Sequence, residues 1–254
     1  MGLDQLNFEG KNKVDVAIMR MQEFEPPEGY YLAFSGGKDS ITIYDLAVKA
    51  GVKFDAHYNM TGIDPPELVQ FIRANYSQVE QHRPGKSIFA SVQTRGLPRR
   101  NARWCCELLK EKGGHDRIVV TGVRWAESVK RRQRRLFEVC RIDGTKRYLN
   151  PILDWSTQEV WSYIKVNHIA YCSLYDEGFT RLGCILCPMV GQRETNIQIE
   201  RWTKIATAWE RAACRYFERG LQSSKPFKTG KELFDWWITR KGKREDAQCF
   251  MLDN

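Results

Sequence analysis

Apolar positions fall into short continuous runs separated by stretches at helical spacing, and the two kinds alternate through the first two thirds of the chain. The run Tyr30-Tyr31-Leu32-Ala33-Phe34 reads as a strand, 40–50 as its crossover helix, 53–59 as a second strand, and 65–75 as a second helix opened by proline. Residues 79–82 read as a short third strand, 86–93 and 104–112 as helical, 117–122 as an apolar strand run ending in glycine, and 147–150 as a further short strand. Strand alternating with helix predicts an α/β fold, a mostly parallel sheet flanked by helices. Before it, residues 1–29 form an N-terminal helical segment with Val14, Ile18 and Met21 on one face, broken at Pro26-Pro27. After it, Ser156-Thr157-Gln158-Glu159 has capping-box spacing ahead of Val160, Trp161 and Ile164, which predicts a helix over 156–167. Residues 171–192 are loop-like. Beyond them Trp202, Ile205, Trp209, Ala212 and Tyr216 recur at helical spacing and read as core, and Leu233, Trp236, Trp237 and Ile238 precede a charged run.

The first strand runs into Ser35-Gly36-Gly37-Lys38-Asp39-Ser40 and then into a helix. Two glycines let backbone N–H groups converge on an anion, the helix N-terminus adds positive dipole, and Lys38 with Ser40 supplies charge and a hydroxyl. The GxxxxGK[ST] spacing of the common phosphate loop is missing, which removes the usual ATPase reading.

Composition is ordinary for a globular protein of 254 residues, enough for one large core or one core plus an appendage. No eighteen-residue apolar stretch exists and the N-terminus lacks a signal-type apolar core, so the expected location is cytoplasmic, with no membrane partner. Lys plus Arg outnumber Asp plus Glu by 40 to 31, concentrated at 95–103 and at Lys130–Arg135. Such clusters suit the phosphates of a nucleotide or a nucleic acid backbone, or are solvated basic faces.

Eight cysteines occur, at 105, 106, 140, 172, 184, 187, 214 and 249. Cys105-Cys106 is an adjacent pair, and Cys184 with Cys187 forms a CxxC followed by Pro188. Four thiolates in two tight pairs complete a ligand set for zinc or for an iron-sulfur cluster. Adjacent residues reach two corners of one tetrahedral ion with difficulty, whereas a cuboidal cluster offers each a separate iron. The cluster is favoured, with zinc and a redox or packing role as alternatives. Cys140, Cys172 and Cys214 are candidate persulfide carriers or small buried hydrophobes.

The segments RWCCELLK at 103–110, TGVRWAES at 121–128, NPILDWSTQEVWSYI at 150–164 and LYDEGFTRLGCILCP at 174–188 resemble successive blocks of the phosphoadenosine phosphosulfate (PAPS) reductase-like family of PP-loop ATP pyrophosphatases. With SGGKDS and YNMTGIDPPE at 58–67, the resemblance covers about residues 30–190. It implies an adenine nucleotide α-hydrolase-like, Rossmann-like fold. In the cluster-containing adenylyl-sulfate reductases a Cys-Cys pair and a distant CxxC hold a 4Fe-4S cluster, and those positions fall on Cys105, Cys106, Cys184 and Cys187. Asp39 and Ser40 match the loop, and Gly122, Arg124, Glu127 and Ser128 match the ligand-binding segment after the later strand. With Ser35, Gly36, Gly37 and Lys38 they make up the expected nucleotide contacts. Arg124, close after a strand end, is placed to grip a phosphate or sulfate, and Arg131, Arg132, Arg134 and Arg135 either extend that site or form a solvated loop. The organisation expected is therefore a 1–29 helical segment, a 30–192 nucleotide- and cluster-binding α/β domain, and a 193–254 helical region packed on it.

Two departures from the reductases matter. Their C-terminal ECGxH-type tail is missing, and Cys249 is the candidate substitute. Their phosphate loop is generally degenerate, whereas this chain keeps both Lys38 and Ser40. A lysine set for β or γ phosphate favours ATP with Mg2+, cleaved to AMP and pyrophosphate for sulfur transfer, with Lys38, Asp39, Arg124 and Cys249 as expected catalytic residues. Relatives of this kind serve DNA phosphorothioation or thiolation, and the basic excess fits a nucleic acid acceptor. A cysteine desulfurase or thioredoxin is the implied sulfur donor or reductant, and a homodimer is left open. The alternatives are a sulfonucleotide reductase releasing sulfite and a non-catalytic nucleotide- or redox-sensing subunit.

Overall fold

The computed structural model describes residues 3, 5–6, 10–140, 143–220 and 227–239. In chain order its elements are α1 (Lys13–Glu23), β1 (Tyr30–Phe34), α2 (Lys38–Ala50), β2 (Phe54–Asn59), α3 (Pro66–Asn75), β3 (Glu80–His82), α4 (Ile88–Arg95), α5 (Trp104–Leu109), β4 (Ile118–Val120), β5 (Phe137–Val139), β6 (Arg147–Leu149), α6 (Thr157–Val166), α7 (Gln192–Arg201), α8 (Thr203–Glu218) and α9 (Gly230–Thr239). They fall into two compact units. The first comprises 1–60, 66–83 and 112–183, and the second 61–65, 84–111 and 184–254. The sequence reading had placed 61–65, 84–111 and 184–192 in the α/β domain.

Among the described residues the six strands all belong to the first unit, in the order β3-β2-β1-β4-β6-β5. Every pairing is parallel except β5 with β6. This is the mostly parallel α/β sheet expected. Because β1 is central, its run is buried on both faces, with Tyr30 and Leu32 fully covered and the Tyr30 hydroxyl donating to Met21 O at 2.6 Å. Helix α2 buries Ile41, Ile43, Leu46 and Ala47. Helices α1 and α6 both start on capping boxes, Asn12 with Asp15 and Ser156 with Glu159. From β1 the chain builds outward to β2 and β3, then returns to place β4 on the other side of β1. That reversal is a topological switch point, the place at the carboxyl ends of β1 and β4 where open α/β sheets bind ligands.

The second unit is helical. Trp209 of α8 packs against Phe89 of α4 and Trp237 of α9, with ring centroids at 5.3 and 4.8 Å, and Trp237 Nε1 donates to Pro98 O at 2.7 Å. Trp202, Trp209 and Ala212 are buried, so much of the stripe read as core is core. β5 was absent from the sequence reading, and α7 lies almost wholly in the 193–254 helical region without having been marked as a helix of its own.

Candidate nucleotide loop and cysteine quartet

In the first unit, residues 35–37 leave β1 at the switch point and enter α2. Gly36 takes φ +69, and a Cβ there would stand 2.7 Å from Ile72 Cδ1 and 2.9 Å from Leu68 Cδ1, so both conformation and space require glycine. Gly37 is the N-cap and offers no side-chain acceptor to the first turn. One donor of that turn, Lys38 N–H, goes to the Tyr175 hydroxyl at 2.9 Å. Burial pushes the Tyr175 phenol up, so it is neutral here. Lys38 Nζ lies 3.3 Å from Thr180 O and 3.4 Å from Asp39 Oδ2. Ser40 Oγ donates to Gly37 O at 2.9 Å and lies 3.3 Å from Ser35 Oγ. The loop is thus closed by the 173–180 segment, which carries Tyr175 and Thr180 and which the sequence reading did not assign to the site.

Gly122 follows β4, and a Cβ there would stand 2.9 Å from Asp39 Cβ and 3.0 Å from Asp39 C and O. This close approach sets the loop after β4 directly on the first turn of α2. Arg124 is 1% exposed; its Nε donates to Asp39 Oδ1 at 2.7 Å and its Nη1 to Trp155 O at 3.2 Å and Thr157 Oγ1 at 3.4 Å. These bonds fix Asp39 to the chain at the start of α6 and hold the guanidinium beside the loop. Glu127 Oε2 accepts from Arg124 N at 3.0 Å and from Arg131, and Ser128 Oγ accepts from Arg131 N at 3.3 Å. Arg134 pairs with Glu138. Half of the arginine run is therefore neutralised locally. A cleft of 420 Å³ lies along Gln133, Arg135, Phe137, Glu138 and Val139, on the antiparallel edge rather than at the loop.

The second unit contains Cys105, Cys106, Cys184 and Cys187 together, all partly exposed and unpaired by disulfide. Cys105 and Cys106 lie in the first turn of α5. The CxxC is anchored by its middle residues: Ile185 and Leu186 are buried, Ile185 N donates to Ile63 O at 2.8 Å, and Leu186, at φ +58, donates to Gln198 Oε1 at 2.7 Å. Arg100 Nε binds Pro188 O at 2.8 Å, which holds the segment after the motif. Cys105 is pushed up by its hydrogen bond with Cys106, by burial, and by the charges of Cys106, Cys184 and Cys187. Cys106 is held down, to about 6, by that same bond, with Lys110 and Arg103 assisting against burial. Burial pushes Cys184 up, opposed by Lys110 and a hydrogen bond from Thr61. Lys110 is raised first by the charge of Cys184, then by Asp64 and Cys106. Cys105 thus senses the other three thiols, while Cys106 and Cys184 both sense the Lys110 ammonium. Four cysteine donors gathered in this way fit 4Fe-4S ligation. Lys110, Thr61 and Asp64 lie inside the quoted blocks but were given no role there, and Gln198 lies outside them.

The other cysteines stand apart in chemistry. Cys172 is buried and pushed up by that burial, and Cys140 Sγ accepts from Asp143 N at 3.5 Å. Cys249 lies outside the described residues. No helix among the described residues is long and apolar enough to cross a membrane.

The family model described as phosphoadenosine phosphosulfate reductase domain matches residues 29–190. An uncharacterised protein of Methanocaldococcus jannaschii is 31% identical over 74% of this chain, which spans only 42% of that relative's length. The adenosine 5'-phosphosulfate reductase of Geobacillus kaustophilus is 25% identical over 76% of this chain and 86% of its own. Among solved structures, phosphoadenylyl-sulfate reductase from Candida auris, a phosphate complex, superposes with a TM-score of 0.52 at 21% identity, covering 71% of this chain and 96% of its own.

Proposed function

From the premise that the chain belongs to the phosphoadenosine phosphosulfate reductase domain family, we propose that it binds ATP at the SGGKDS loop, releases pyrophosphate, and serves sulfur transfer. The observation that carries the ATP reading is Lys38. Its side chain is buried in the first turn of α2, beyond glycines that open the backbone, and its ammonium can leave Thr180 O and Asp39 for outer phosphates. Acceptor oxygen attacks the α-phosphorus, the bond to the α,β-bridging oxygen breaks, and pyrophosphate leaves with its charge met by Lys38; a Mg2+ ion, when bound with the nucleotide, would screen the same charge. A sulfur nucleophile then displaces AMP from the acceptor. Arg124 acts by holding Asp39, and Gly122 by admitting it. Cys105, Cys106, Cys184 and Cys187 would hold a 4Fe-4S cluster, which when bound supplies electrons or a ligation point for sulfur. The net charge of +9 suits a nucleic acid acceptor, and a desulfurase or thioredoxin suits the donor side.

A sulfonucleotide reductase is the second reading, favoured by the Geobacillus kaustophilus relative, most of whose length this chain matches. One comparison separates them. Equilibrium binding of ATP, PAPS and adenylyl sulfate is followed by assays for pyrophosphate and sulfite. ATP as the tightest ligand, with pyrophosphate released in the presence of acceptor and sulfur donor, supports the first reading; sulfite from a sulfonucleotide with thioredoxin supports the second. Lys38→Ala should weaken ATP by more than about tenfold and AMP by less than about twofold, since a charged contact contributes about 1.5–3 kcal/mol.

A further inference from the structure

We infer that His57, Glu80 and His82 form a binding site for one divalent d-block cation of the zinc class on the face of the sheet formed by β2 and β3.

The register makes the site. β2 and β3 run parallel with His57 opposite Glu80 and Asn59 opposite His82. Side chains alternate along a strand, so Asp55 and His57 share one face of β2, and Glu80 and His82 share the same face of β3. His57 Nδ1 lies 2.8 Å from His82 Nε2 and 3.4 Å from Glu80 Oε2, and His82 Nε2 lies 3.7 Å from Glu80 Oε1. All three groups offer ligand atoms within 4.8 Å of one another. A tetrahedral ion with bonds near 2.1 Å separates its ligand atoms by roughly 3.4 Å. Glu80 Oε2 stands at that spacing from His57 Nδ1, Oε1 stands within about 0.3 Å of it from His82 Nε2, and the two nitrogens need to part by only about 0.6 Å.

The ring of His57 is prepared for ligation on its far side. Asp55 is bonded to His57 Nε2, which places the ring proton there and leaves the Nδ1 lone pair facing His82 and Glu80. Arg117 holds that carboxylate with both arms, Nη1 to Oδ2 at 3.0 Å and Nη2 to Oδ1 at 2.6 Å, and anchors itself on Gly29 O at 3.0 Å. Tyr31 stacks on the same imidazole at 4.0 Å and 4°. A carboxylate behind a histidine is the outer support that metal-binding histidines carry.

A proton shared by the two histidines is the competing occupant, since it makes the pair cationic and draws the Glu80 carboxylate in as an ion pair. The metal reading rests on the donor set and on its outer support: two ring nitrogens and a carboxylate converge on one point, and Asp55 backs the first ring. Two imidazoles and a carboxylate suit zinc, cobalt or nickel, and the exposure of Glu80 leaves a fourth position open to water. None of this depends on the nucleotide or cluster reading.

The test is anaerobic titration of the full chain with Co2+, read by absorption, because thiolate ligation adds an intense sulfur-to-cobalt band that the histidine–carboxylate site lacks. Wild type should take up one sulfur-free Co2+ per chain, displaced by Zn2+. His82→Gln, at a half-buried position, and Glu80→Gln, at an exposed one, should each lower that affinity by more than about tenfold, with unchanged far-UV circular dichroism. Cobalt bound only with the thiolate band, or sulfur-free binding unchanged in both variants, would overturn the site.

Discussion

The Tyr175 hydroxyl accepts the backbone N–H of Lys38 at 2.9 Å, occupying one of the donors that the first turn of α2 would otherwise offer to an anion. Removing the hydroxyl frees that donor. A neutral hydrogen bond contributes about 0.5–1.5 kcal/mol, so Tyr175→Phe should bind nucleotide about two- to tenfold more tightly. Calorimetric titration with ATP checks this. Weaker binding would show instead that the hydroxyl stays in place as a ligand group.

Gly122 and Asp39 meet at backbone distance. Because a Cβ on Gly122 would stand 3.0 Å from Asp39 C and O, the neighbour cannot swing aside as a flexible side chain could. Gly122→Ala should lower stability by about 1–3 kcal/mol through overpacking and weaken nucleotide binding together with it. Thermal unfolding and ATP titration measure the two losses. Gly144→Ala, with nothing within 4 Å of the added carbon, is the control and should leave binding unaltered.

Local sequence carried β1, the glycine loop and α2, because a continuous apolar run, two glycines and a helical spacing are each decided by neighbours a few residues away. Ser156 and Glu159 marked the start of α6 for the same reason. What escaped depends on distant partners. Only three residues of β5 pair, antiparallel, at the sheet edge, and none of them is buried. Polar α7 buries Thr195 and Gln198, and Gln198 matters because it accepts from Leu186. Lys110, Asp64 and Tyr175 lie in the quoted blocks, but their roles come from groups that the fold brings to them, which residue type and spacing do not show.

The quartet makes its own prediction. Protein prepared anaerobically with iron and sulfide should carry about four irons per chain. Cys184→Ser should lose most of that iron, since Cys184 interacts with both Lys110 and Cys187. Cys140→Ser should retain it, because Cys140 belongs to the first unit, where it accepts from Asp143 N. Iron and zinc analysis of the three proteins decides the matter, and stoichiometric zinc in place of iron would replace the cluster with a mononuclear ion.

Glu159 ties two helices of the sheet unit together and gives the fold a dependence on acid. Its Oε2 accepts from Ser156 N at 2.6 Å and from Lys13 Nζ at 3.0 Å, so one carboxylate closes the α6 cap and holds the start of α1. Burial alone would raise its pKa. Lys13 and the Ser156 bonds outweigh burial and hold the carboxyl below its usual 4.5. A lowered folded pKa means that the stabilisation is fully present above the unfolded value and is lost as pH falls through the folded one. Glu159→Gln should therefore lower Tm at pH 7, by about 2–6 °C for a loss near 1–1.5 kcal/mol, and the gap to wild type should close as acid protonates the native carboxylate. Tm measured from neutral pH down to below 4 follows both curves. A gap of constant size would assign the loss to packing of the side chain rather than to its charge.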